Sequence, residues 1–80
     1  MPTAMWKDGA RYFFYSNEGG EPAHIHVVKG SGTAKFWLRD VHCVHSRGLN
    51  QYELNRIERT VVDNLNYLLE VWDGFFNGSL

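Results

Sequence analysis

Several things are scarce in this chain, and each scarcity excludes something. Cysteine occurs once, at Cys43, so no disulfide within the chain holds the fold. A lone thiol fits a reducing cytoplasm; it reads either as a small buried apolar residue or as a nucleophile. No stretch approaches the ~20 apolar residues that a bilayer span requires. Met1-Pro2-Thr3 opens no basic-then-apolar leader, so the expected compartment is cytoplasmic. Gly19-Gly20 and Gly30-Ser31-Gly32 lack the Lys-Ser/Thr or Gly spacing of a phosphate-binding loop. No Gly-x-Ser-x-Gly elbow is present. With a formal charge of −1, strong non-specific DNA binding is disfavoured. Eighty residues allow a single domain, 1–80, divided into a β-rich part at 1–49 and a helical part at 50–76.

Aromatic residues, by contrast, are plentiful: three Trp, four Tyr and five Phe make up 15% of the chain. Large rings let a short chain bury more surface per residue. The charge is also uneven. Residues 1–49 carry six bases and four acids, a balance of +2; residues 50–80 carry two bases and five acids, a balance of −3.

The first half reads as an antiparallel meander. Asp8-Gly9 is a strong hairpin signal, because a type I′ turn needs positive φ at both central residues. That turn pairs Lys7 with Ala10, Trp6 with Arg11 and Met5 with Tyr12. Arg11–Tyr15 is dense in strand-favouring aromatics. Asn17–Pro22 forms a loop. Ala23–Val28 and Thr33–Leu38 form a second hairpin if Gly30-Ser31 is its turn. Its pairs are then Val28–Thr33, Val27–Ala34, His26–Lys35, Ile25–Phe36 and His24–Trp37. Cross-strand partners share a face. One face is therefore apolar (Ile25, Val27, Ala34, Phe36, Leu38). The other carries His24, His26, Val28, Thr33, Lys35 and Trp37, and is expected to point both imidazoles outward. Val41–His45 reads as a short strand or an irregular turn.

Asn50 and Glu53 form a plausible capping box. From Gln51, an apolar stripe recurs at helical spacing through Leu54, Ile57, Val61, Leu65, Leu68, Trp72 and Phe75. Val62 and Leu69 widen it. A helix of about 25 residues spans roughly 37 Å, more than a narrow sheet covers. Its end, with Trp72, Phe75 and Phe76, either overhangs to meet a partner, including a second copy of the chain, or folds back on the first hairpin. The expected fold is α+β: a four-stranded antiparallel meander, with a possible short fifth strand, followed by one long C-terminal helix on one face.

The run Tyr12–Val27 (YFFYSNEGGEPAHIHV) resembles the domain-of-unknown-function 4160 family of small bacterial proteins. Lys29-Gly30, Ala34–Leu38, Arg47-Gly48, Glu53-Leu54 and Ile57-Glu58 extend the resemblance over nearly the whole chain. It implies a place in a two-gene toxin–antitoxin-type cassette, with the neighbouring gene encoding a cognate protein partner. Activity stays unassigned within that family.

Three chemistries suit the histidine face. The first is metal-independent ribonuclease action, which needs a general base, a general acid and a cation for developing phosphate charge. His24, His26, Lys35 and Glu21 are the candidate catalytic residues. Glu18 or Glu21 would tune an imidazole; Arg11, Tyr15 and Trp37 would hold RNA by charge and stacking. The second is a His-x-His metal pair, with Glu21, His42 or His45 supplying further ligands. His42 and His45 lie two strands away in a simple meander, roughly 10 Å, so no metal ligands and no cofactor are assigned. The third is a protein-interaction surface built on the same aromatics and bases.

Overall fold

The computed structural model describes residues 3–77; Met1 and Pro2, where the leader reading begins, lie outside them. Five strands form one antiparallel sheet in chain order: β1 Thr3–Lys7, β2 Ala10–Phe13, β3 His24–Lys29, β4 Gly32–Trp37 and β5 His42–Arg47. Helix α1 spans Gln51–Asp63 and α2 spans Leu65–Phe76. The α+β class and the meander are as expected from the sequence. Two details are corrected among the described residues: the fifth strand, expected only as a possible short one, is a full strand, and two helices stand where one was expected.

Both predicted hairpin registers hold residue for residue. Asp8 and Gly9 have φ of 50° and 79°, as a type I′ turn requires. β5 is a full six-residue strand along β4. Its register slips at Val44: Phe36 faces Cys43, yet Lys35 faces His45. Such a bulge lets two residues oppose one and shifts side-chain parity. His42 and His45, three apart, therefore both pair with residues of the histidine face, Trp37 and Lys35.

The apolar face is the core. Tyr12, Ile25, Val27, Ala34, Phe36 and Leu38 are buried with Ile57, Val61, Leu68 and Trp72 from the helices. Burial pushes the Tyr12 phenol up, against a hydrogen bond to Thr60. Cys43 packs at the edge of this core, and burial likewise raises its thiol, so it behaves as an apolar residue. The Asn50–Glu53 capping box starts α1 as read from the sequence.

The helix breaks at Asn64 without Pro or Gly. The Asn64 amide side chain donates to the Thr60 carbonyl at 2.8 Å, and its N–H is shared between the Thr60 and Val61 carbonyls. Thr60 Oγ1 in turn donates to the Arg56 carbonyl at 3.0 Å. Side chains that compete for backbone carbonyls bend or interrupt helices. Beyond this break, Trp72 and Phe76 of α2 fold back on Phe14, one residue past β2. Phe75 touches Phe14 as well but stays half exposed. Trp72 and Phe76 thus fold back beside the first hairpin, as one of the two expectations had it.

Candidate functional site

The site is built on the connection from β2 to β3. Glu18 N–H donates to the Tyr15 carbonyl at 3.2 Å, and Glu21 N–H to the Glu18 carbonyl at 3.1 Å, so two consecutive turns fix Glu18. Its own carboxylate reaches back to accept the Tyr15 N–H at 3.0 Å. Gly19 makes the packing possible: a Cβ there would lie 2.6 Å from the Phe76 ring. The carboxylate is thereby held over the start of β3.

There it meets both histidines. Glu18 Oε1 lies 2.8 Å from His24 Nε2 and 3.1 Å from His26 Nε2; Oε2 lies 3.0 Å from His26 Nε2. The rings are perpendicular with centroids 5.1 Å apart. His24 Nδ1 is 3.0 Å from the Pro22 carbonyl, which can only accept, so that nitrogen carries a proton. Burial raises Glu18, but the Tyr15 N–H and the two imidazoles outweigh it and hold the carboxyl at about 2.

The two rings differ in access. His24 is fully buried, with Trp72 at 4.9 Å and Trp37 at 5.8 Å. This corrects the expectation that both imidazoles face outward: strand parity holds, but α2 reaches over the end of the sheet and covers His24. His26 stays partly exposed, stacked on Phe13 at 5.5 Å and meeting Tyr15 edge-on at 4.9 Å.

The other predicted residues lie around this pair. Lys35, opposite His26, is 2.9 Å from Glu21 Oε1 and 4.8 Å from the Trp37 ring centre. That contact holds the Glu21 carboxyl below its usual range. Glu21 approaches His24 Nδ1 only to 3.8 Å. Arg11 lies over Phe13 at 4.6 Å and donates to Thr3 Oγ1. Tyr15 is 40% exposed, enough to offer a stacking surface.

Across the sheet, Phe13, His26, Lys35 and His45 form one row in register. A depression of about 290 Å³ beside it is lined by Phe13, Tyr15, His26 and His45. Sequence reasoning undervalued two of these residues. Glu18 was one of two acids ahead of the strand, and only the folded double turn shows which of them touches the rings. His45 joins the face through a bulge that no local pattern announces.

The fold and site together define a small α+β domain with one antiparallel sheet and a Glu-His-His cluster where the sheet meets its C-terminal helix. The chain belongs to the family described as domain of unknown function (DUF4160), which matches residues 9–73. No curated protein and no solved structure matches it. Among the described residues, no helix is long and apolar enough to cross a membrane.

Proposed function

We propose that the chain acts on RNA through the outer face of its sheet, as the toxin-type half of a two-gene cassette whose other product is its protein partner. One observation carries this reading: His26 and His45 line the same open depression, and Lys35 stands between them in register.

Cleavage by the RNA 2′-hydroxyl needs a base to take its proton and an acid to protonate the departing 5′-oxygen. Two imidazoles on either side of a bound phosphate supply both. Lys35 supplies a cation for the charge that builds on the phosphate oxygens. Tyr15 offers a face for a base to stack on. Glu18 orients the His26 ring, as the third group of a relay does. His24 serves this site from beneath: buried between Trp72 and Trp37, it positions Glu18 and does not touch substrate.

The test is expression of the chain alone and with its genomic neighbour, followed by growth and total RNA. Purified protein is then expected to release fragments ending in 2′,3′-cyclic phosphate, with loss of activity in His26→Ala and His45→Ala. Cleavage that survives in both variants would sink the reading. A tight complex with the neighbouring product and no RNA cleavage would assign the same face to protein interaction.

A further inference from the structure

We propose that Glu18, His24 and His26 bind a first-row divalent metal ion of the zinc type. The proposal does not depend on the RNA reading but competes with it for one ring. His26 cannot hold the ion through Nε2 and exchange a proton with RNA at once, so cleavage would belong to the metal-free chain.

The argument starts from donor counting. A neutral imidazole has one N–H, and His24 spends it on the Pro22 carbonyl at 3.0 Å. Glu18 Oε1 faces the other nitrogen, Nε2, at 2.8 Å and is also an acceptor, so this contact is closed by a second proton in the ion-free chain or by a metal ion in the proton's place. Two lone pairs facing one another beside a fully buried ring call for a cation between them. A single extra proton would satisfy one such pair. Here three groups converge: one ligand atom from each of Glu18, His24 and His26, all within 4.8 Å of one another. One ion satisfies all three at once.

The donor set selects the ion. Two imidazole nitrogens and a carboxylate suit zinc and its first-row neighbours, whereas magnesium and calcium prefer oxygen alone. Bonds of about 2.1 Å place ligand atoms roughly 3.4 Å apart in a tetrahedron. The Glu18–histidine separations of 2.8–3.1 Å lie just inside that spacing. The two histidine nitrogens, within 4.8 Å of one another, must close toward it, so binding needs an outward shift of the carboxylate and a turn of the partly exposed His26 ring. The turns fix the Glu18 backbone, and the carboxylate can shift by rotation of its own side chain, which stays 16% exposed. The outer shell is also present: Nδ1 of His24 bonds a backbone carbonyl, which fixes the ring and presents Nε2 as the ligand atom. Glu18 and His26 side chains are 16% and 17% exposed, and His24 is not exposed at all. Solvent therefore reaches the site from one side, the side an open coordination position would occupy.

The experiment uses the purified chain after chelator treatment, titrated with Zn²⁺ by calorimetry and with Co²⁺ by visible absorption. The expected result is one ion per chain, a Co²⁺ spectrum of low coordination number, and a melting temperature that rises with free Zn²⁺. Removing His24 is expected to cost stability, so Glu18→Gln and His26→Ala carry the test, each checked for a folded metal-free state by circular dichroism. Both should weaken binding by more than the 10–100-fold typical of losing an outer-shell partner. A His42→Ala/His45→Ala double variant should bind as the parent does. The proposal is overturned by failure to saturate at one equivalent. It is equally overturned if Glu18→Gln and His26→Ala bind normally, or if the ion is lost with His42 and His45. RNA cleavage measured in chelator is a separate readout, so either reading can fail alone.

Discussion

His24 and His26 are two residues apart, share a strand face and bond the same carboxylate, yet they occupy different worlds. His24 has an acceptor at each nitrogen and a tryptophan from α2 against its ring. His26 has one engaged nitrogen and borders an open depression. Strand parity made the two equivalent; Trp72 of α2, set against His24 alone, separated them. What covers an imidazole decides whether it organises a site or works in one. The sharpest way to break this comparison is to remove each ring. His24→Ala empties a buried space and leaves Glu18 and the Pro22 carbonyl short of a partner, at a cost of roughly 2–4 kcal/mol. His26→Ala should cost about 1 kcal/mol, since water can replace part of what is lost. Urea denaturation of the metal-free variants measures both, and equal losses would erase the distinction.

The cluster also sets how the metal-free protein responds to acid. Glu18 titrates at about 2 in the folded chain, well below an ordinary glutamate. A carboxyl depressed on folding contributes stability that is complete above its unfolded value, near 4.5. That contribution drains away as pH falls towards 2. The stabilisation at stake is roughly 1–3 kcal/mol. Melting temperature followed from pH 5 to pH 2 should therefore fall more steeply in the parent than in Glu18→Gln. Parallel acid limbs in the two proteins would show that the carboxylate is not held as its contacts imply.

A smaller effect tests what closes the buried end. Gly19 approaches the Phe76 ring so closely that an added methyl group would clash with it. Gly19→Ala should force Phe76 aside and loosen the loop carrying Glu18, at a cost of about 1–2 kcal/mol. Gly20 has open space where a Cβ would stand, so Gly20→Ala is the matched control. Equal melting temperatures for the two variants would mean that α2 does not lock the loop.

Much of this was legible in the sequence, for reasons that can be named. Asp8-Gly9 and Gly30-Ser31 dictate their turns locally, and a turn of fixed length dictates the register of everything that follows. The capping box and the apolar stripe of the helices are local as well. What escaped depends on tertiary placement. Asn64 interrupts the helix through a side-chain hydrogen bond that composition does not announce. The β5 bulge at Val44 brings His45 onto the face. Glu18 and Glu21 looked alike in the chain. Only the double turn sends Glu18 to the histidines and leaves Glu21 to Lys35.

That last division gives the finest test. Glu21 was expected to serve the histidines, yet its short contact is with Lys35 at 2.9 Å, and it stays 3.8 Å from His24. An RNA phosphate that engages Lys35 must displace this carboxylate. Removing the competing charge should then help binding. Glu21→Gln is expected to tighten RNA binding roughly two- to threefold at low salt, because exposed ion pairs are weak. Lys35→Ala should weaken it and reduce the slope of log affinity against log salt by about 0.7, the value for one lost contact to a single strand. Filter binding over a salt series reads both. A catalytic Glu21 predicts the opposite pattern, with affinity unchanged and cleavage lost in Glu21→Gln. The sign of one conservative substitution therefore separates a carboxylate that restrains a lysine from one that takes part in the chemistry.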